Sequence, residues 1–171
     1  MHYNVAQLLK EPTGSSRHFD LSETVASPEP DWGAELTLTG TVELVRTPDG
    51  ILLEAHVQTL IPDVCGRCLE PVTEPLDLVV EEEFYPAIDL NTGHAVTQAD
   101  PDAFVLDQRH VLDLTEAVRQ SIWTAREIQP LCRPDCKGLC PTCGANQNTA
   151  PCTCAKVATD PRWDRLRRRS A

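Results

Sequence analysis

Eight cysteines carry most of the chemistry open to this chain, and they are unevenly spaced. Cys65-Gly66-Arg67-Cys68 is one C-x-x-C turn and Cys140-Pro141-Thr142-Cys143-Gly144 is a second, while Cys132, Cys136, Cys152 and Cys154 flank the latter. A C-x-x-C turn aims both sulfurs at one ion while backbone N–H groups approach the thiolates, and Gly144 supplies the left-handed freedom to turn away afterwards. One such turn alone would suit a redox pair equally well. Two of them with four further cysteines divide instead into two tetrahedral four-cysteine sites, for which Zn2+ is the usual ion. The preferred division is local. Cys140, Cys143, Cys152 and Cys154 close a short zinc ribbon, and Cys65 and Cys68 share an ion with Cys132 and Cys136. The rival division joins Cys132, Cys136, Cys140 and Cys143, and leaves Cys65 and Cys68 to Cys152 and Cys154.

The competing chemistries are weaker. Disulfides do not explain the paired spacing, and Cys152-Thr153-Cys154 is too close for an easy internal bridge. A catalytic zinc keeps an open position and takes His or carboxylate ligands, whereas all five His (2, 18, 56, 94 and 110) lie outside the cysteine cluster. There is no G-x-S-x-G, Walker A or G-x-G-x-x-G motif. The zinc is therefore expected to be structural, and no catalytic residue is assigned.

The elements that must position these cysteines can be read from periodicity. Glu35–Arg46 alternates Leu36, Leu38, Val42 and Leu44 with polar neighbours, a half-buried strand. Thr47-Pro48-Asp49-Gly50 makes a tight turn, and the return strand places Ile51, Leu53, Ala55, Val57 and Ile61 on one face. A third strand is expected over about Pro75–Phe84, with Glu81-Glu82-Glu83 forming a solvated edge. Val5, Leu8 and Leu9 fit one or two helical turns, Ser27–Asp31 a loop, residues 85–102 a long mobile loop, and Phe104–Leu106 a short strand. Asp113 and Glu116 read as a capping box for a helix carrying Leu114, Ala117, Val118, Ile122 and Ala125 on its apolar face. Asp160-Pro161 starts a second short helix. The fold class is α+β: an antiparallel meander that could close toward a barrel, covered by one main helix, with a Cys-rich zinc-ribbon C-terminal segment. The expected division is 1–128 for the sheet and helix body and 129–171 for the zinc-binding segment and basic tail.

Charge separates the same two parts. The net charge of −11 averages residues 1–112, with 5 basic and 20 acidic side chains, and residues 113–171, with 10 and 6. Between Cys68 and Gln108 there is no Lys or Arg at all. Arg162, Arg165, Arg167, Arg168 and Arg169 are the candidate RNA contacts, extended by Arg133, Lys137 and Lys156. Trp123 and Trp163 read as packing residues ahead of base-stacking platforms. The hydrophobic fraction of 41% supports a folded core, and no apolar run reaches the ~18 residues of a membrane span. The first residues lack the order of a secretory signal, and free cysteines then suit a reducing compartment.

The run Pro130-Leu131-Cys132-Arg133-Pro134-Asp135-Cys136-Lys137-Gly138-Leu139-Cys140-Pro141-Thr142-Cys143-Gly144-Ala145-Asn146 is distinctive. With Cys152-Thr153-Cys154, Asp160-Pro161-Arg162, Cys65–Pro71, Asn4–Leu9 and Asp113–Glu116 it closely resembles the YceD family of bacteria and plastids, over nearly the whole chain. The resemblance implies a cytoplasmic, non-catalytic factor needed for accumulation of large-subunit (23S) rRNA. Its partner would be precursor rRNA or a ribosomal protein, with no membrane and no small-molecule substrate. Arg126-Glu127 stands where members often have Leu-Pro, so the main helix is expected to run a turn longer. Gln147 replaces a frequent Leu and is expected to be less buried. The alternatives are a zinc-ribbon adaptor outside ribosome assembly, for instance in transcription, and a metalloenzyme or redox protein.

Overall fold

The computed structural model describes residues 1–27, 29, 32–33, 35–89, 92–96, 100–150 and 152–154. The chain divides into two compact units, Met1–Asp63 with Thr73–Ile128 and Val64–Val72 with Gln129–Ala171. The elements are β1 (His2–Asn4), a 3-10 turn (Leu8–Lys10), β2 (Ser16–Ala26), β3 (Glu35–Arg46), β4 (Ile51–Val64), β5 (Pro71–Tyr85), β6 (Phe104–Val105), β7 (Val111–Asp113) and α1 (Thr115–Ala125). The ends of β4 and β5 carry the chain from the first unit into the second and back.

In the first unit, alternation does what the sequence demands. Leu36, Leu38, Val42 and Leu44 of β3, Ile51, Leu53, Ala55, Val57 and Ile61 of β4, and Leu76, Leu78, Val80 and Phe84 of β5 all point into one core. The sheet order is β2-β3-β4-β5-β6. β2 and β4 run antiparallel to β3, and β6 pairs parallel to β5 through Phe84–Phe104 and Tyr85–Val105. α1 contributes Ala117, Val118 and Ile122 to the same core, the last worth about 1.5–3 kcal/mol on full burial. Gly40 occupies an inward position opposite Leu21 and Val57 at φ +152°, where a Cβ would lie 1.9 Å from the His56 carbonyl oxygen. Only glycine fits so close an approach of two backbones.

Several expectations are corrected. Among the described residues the sheet is open and does not close into a barrel: β2 and β6 are its edges, and β1 pairs with β7 in a separate two-stranded ribbon. α1 ends at Ala125 and runs no further turn. Arg126 is extended (φ −63°, ψ 145°), its guanidinium lies 5.1 and 5.2 Å from the Trp32 and Trp123 ring centroids, and it pairs with Asp63 at 3.1 Å. Asp113 does hold the helix start, accepting from the Thr115 N–H at 3.0 Å. The capping box is not completed, because the Glu116 carboxylate goes to Arg119 and Gln120. Glu81–Glu83 form a solvated edge only in part. Glu81 is exposed, while Glu82 and Glu83 are half-buried just before β6 joins β5 at Phe84. Glu83 accepts from the Thr47 hydroxyl at 2.6 Å and the Tyr85 hydroxyl at 3.0 Å. Within the segment read as a long loop, an Ile88–Ala95 bridge is closed by the Asp89 N–H to the His94 carbonyl. The helix expected at Asp160 lies outside the described residues.

Among the described residues, no helix is long and apolar enough to cross a membrane.

Candidate metal centres

The second unit is built on two copies of one turn. At the tip of the β4–β5 hairpin the Cys65 N–H donates to the Glu70 carbonyl (2.9 Å) and the Leu69 N–H to the Cys65 carbonyl (3.0 Å). At the other C-x-x-C, the Cys140 N–H donates to the Ala145 carbonyl (2.8 Å) and the Gly144 N–H to the Cys140 carbonyl (2.9 Å). The residue after the second cysteine is left-handed in both, Leu69 at φ +60° and Gly144 at φ +71°. Each turn thus directs two sulfurs to one side and its freed N–H groups toward them, as with the Thr142 N–H at 3.4 Å from Cys140 Sγ.

The remaining cysteines complete two sets. Cys65, Cys68, Cys132 and Cys136 form one, and Cys140, Cys143, Cys152 and Cys154 the other, with the sulfurs of each set all within 4.8 Å of one another. This is the local division and not its rival. In the first set, Cys65 Sγ lies 3.8 Å from Cys136 Sγ and Cys68 Sγ 3.6 Å from Cys132 Sγ. A tetrahedral thiolate site with metal–sulfur bonds of about 2.3 Å has sulfur–sulfur edges of ~3.8 Å. The separations match those edges and are far beyond the ~2.05 Å of a disulfide. The donor sets therefore fit two four-coordinate soft ions.

The surroundings support the sulfurs. Cys65 and Cys68 are buried with Cys136, and Val72, Leu131 and Leu139 pack against them. The Asn148 side-chain amide donates to Cys136 Sγ at 3.3 Å, while the Asn148 Oδ1 accepts from the Lys137 N–H. The Arg67 guanidinium donates to the Cys136 carbonyl at 3.0 Å, and the Arg67 carbonyl accepts from the Leu139 N–H. Gly138, at φ +71°, lets that approach happen, since a Cβ there would sit 3.0 Å from the Arg67 carbonyl. The two loops are laced further by the Gly66 N–H to the Pro130 carbonyl and by Asn146 to Glu70. Spacing did not reveal these roles: Asn148 lies outside the C-x-x-C turns, and Arg67 occupies a variable position within one, where its side chain reaches the Cys136 carbonyl.

Each set holds its thiols unequally. The Cys132 backbone N–H, then those of Arg67 and Cys68, pull Cys65 down to about 6. Those of Cys143 and Thr142 pull Cys140 down to about 6. Desolvation and the Cys68 thiol push Cys132 up to about 12, and the Cys143 thiol does the same to Cys154. Four sulfurs this close resist ionising together without a cation, and a bound dication reverses that balance. Four cysteines would fill the coordination of such an ion and leave no position for a substrate.

The basic tail is a different matter. Arg162, Arg165, Arg167, Arg168 and Arg169, with Lys156 and Trp163, lie outside the described residues. Arg133 and Lys137 are exposed, and Arg133 lies 3.5 Å from Asp135. Trp123 packs against Trp32, with ring centroids 5.3 Å apart, and His56 is exposed on the polar side of β4.

A mixed sheet, antiparallel except where β6 runs parallel to β5 and so not the wholly antiparallel meander expected, carries one helix and joins a pair of C-x-x-C turns that gather two sets of four cysteines, which defines a small protein with two potential tetrathiolate metal centres. The family described as "Large ribosomal RNA subunit accumulation protein YceD" matches residues 53–168, and the chain belongs to it. It is 33% identical to an uncharacterized protein of Mycobacterium tuberculosis over 175 residues, covering 97% of this chain and 79% of that one. A maize protein named large ribosomal RNA subunit accumulation protein YCED homolog 1, chloroplastic, is 30% identical over 138 residues, 67% of this chain and 47% of the maize protein. The Arabidopsis thaliana protein of the same name is 27% identical over 142 residues, 70% of this chain and 44% of its own length. No solved structure matches the chain.

Proposed function

We propose that this chain is a non-catalytic zinc-binding factor of ribosome biogenesis, acting in the cytoplasm. It supports accumulation of large-subunit rRNA by binding an rRNA or ribosomal-protein precursor. Membership of the YceD family carries this reading, together with the names of the plant relatives. The two four-cysteine sets support the rest of it: thiolate donors with tetrahedral edges suit Zn2+, and a filled coordination shell suits a structural role. The zinc ions hold the hairpin tip of β4 and β5 and the segment from Cys132 to Cys154 as one body. Binding then protects or delivers the precursor without bond-making chemistry. The basic end, Arg162 to Arg169, supplies the phosphate contacts in this reading.

The test is depletion of the protein in its own host, followed by the ratio of large- to small-subunit rRNA. A selective fall in the large-subunit species, restored by the wild-type chain and not by Cys65→Ser/Cys140→Ser, is expected. An unchanged ratio refutes the reading.

A further inference from the structure

α1 covers one face of the five-stranded sheet, and the opposite face is exposed. Registers align its outward residues in rows: His18, Glu43 and Glu54; Asp20, Thr41 and His56; Ser22, Thr39 and Gln58. β5 adds Asp77, Val79 and Glu81, all exposed. Asp20, Glu35, Glu43, Glu54, Asp77 and Glu81 thus share this face, and none of its outward positions on β2 to β5 holds a Lys or Arg.

The face is also not flat. A groove of about 670 Å³ opens along β3, β4 and β5, with outward Leu60, Pro62 and Pro75 among its apolar lining, outward Glu35 and Asp77 among its acidic one, and the core residues Trp32, Leu36 and Leu76 also reaching it. Leu60 is 61% exposed and Val79 nearby on β5 is 69% exposed, so the face offers apolar area as well as carboxylates. An apolar trough between carboxylates takes an extended chain that alternates aliphatic and cationic side chains. A nucleic acid or an anionic membrane would meet like charge across the whole face, and so would a second copy of this chain laid face to face.

Resting on the assembly-factor reading above, we propose that the outward face of β3, β4 and β5 docks a lysine- and arginine-rich extended polypeptide segment, its aliphatic side chains seated in the groove. Such segments are what a factor would have to shield before they meet rRNA. The two parts of the chain would then serve different ligands, with the acidic sheet taking the protein component.

The test uses the full, zinc-loaded chain and a fluorescein-labelled 16-residue peptide of alternating Arg and Val, read by fluorescence anisotropy at low and raised salt. A 16-nucleotide poly(U) and the same peptide with Glu in place of Arg serve as comparisons. The wild type binds the Arg peptide, more weakly as salt rises. Glu35→Lys/Asp77→Lys weakens it by about tenfold or more at low salt. Leu60→Ser weakens it severalfold without changing the salt dependence. Glu54→Lys/Glu81→Lys provides an independent reversal should the first pair disturb folding, which circular dichroism reports. Equal peptide binding by both charge-reversed variants overturns the proposal, as does a poly(U) signal that these reversals abolish, or dimerisation through this face. Sedimentation of the wild type with precursor large subunits separates the two claims: if it persists while peptide binding ignores the reversals, the docking face is wrong and the assembly reading stands.

Discussion

Among the described residues, the apolar cluster of the second unit consists of buried Cys65, Cys68 and Cys136 with Val72, Leu131 and Leu139 packed against them. Those three aliphatic side chains are half-buried, worth roughly 1 kcal/mol each. So little packing cannot offset the conformational entropy lost when Val64–Val72 and residues 129–154 become ordered. A structural zinc held by four thiolates would by contrast contribute about 10–16 kcal/mol at each proposed site. Metal removal should therefore unfold the second unit and leave the first standing, because the first has its own core from β2 to α1. The assay is a two-dimensional amide NMR spectrum of the reduced protein before and after chelation. Amides of Val64–Val72 and residues 129–154 should collapse to random-coil positions while those of β2, β3 and α1 keep their dispersion. Returning zinc should restore the spectrum with a plateau at two ions per chain. Dispersed second-unit amides without metal would refute the reasoning, and so would a plateau at one ion.

Three further outcomes follow from particular residues. Leu69 sits left-handed at φ +60° and is 62% exposed, where its counterpart in the other turn is Gly144; Leu69→Gly should raise the stability of the zinc-loaded protein by about 0.5–1 kcal/mol in thermal unfolding, and a lower midpoint would contradict this. Gly40→Ala would put a Cβ 1.9 Å from the His56 carbonyl oxygen and should cost at least about 2 kcal/mol in denaturant unfolding; a neutral effect would mean β3 and β4 are spaced differently. Hydrogen bonds from Arg119 and then Gln120 hold the Glu116 carboxyl down at about 2, below its ordinary 4.5, so its small contribution is present above about pH 4.5 and lost as pH falls toward 2. Carboxyl NMR should show that midpoint, moving back toward 4.5 in Arg119→Ala; an unmoved midpoint would contradict the pairing.

Where two-residue alternation was strong, the fold was legible. β3 runs over Glu35–Arg46 as expected, because one face is aliphatic and the other is threonine and glutamate. β5 begins at Pro71, four residues before the expected start, since the hairpin tip and not the apolar pattern sets where pairing begins. β2 leaves no apolar alternation in the sequence, because it is an edge strand with Leu21 as its one buried residue and its composition reads as polar loop. β1 and β7 are three residues each and pair across the length of the unit, a non-local match that no window can show. The early end of α1 is likewise tertiary, fixed by Arg126 over two indoles. At the metal centres the cysteines announced themselves by spacing, while their division into two sets waited for the distances. Asn148 and Arg67 act through loop geometry and leave no periodic trace.

The central claim, that this chain works on precursor large subunits, is tested most directly by sucrose-gradient sedimentation of lysates containing the tagged, zinc-loaded chain. The account predicts that it travels with precursor large-subunit particles, is absent from mature ones, and returns to the free fraction when Cys65→Ser/Cys140→Ser disables both metal centres. A wild-type chain found only in the free fraction would contradict it.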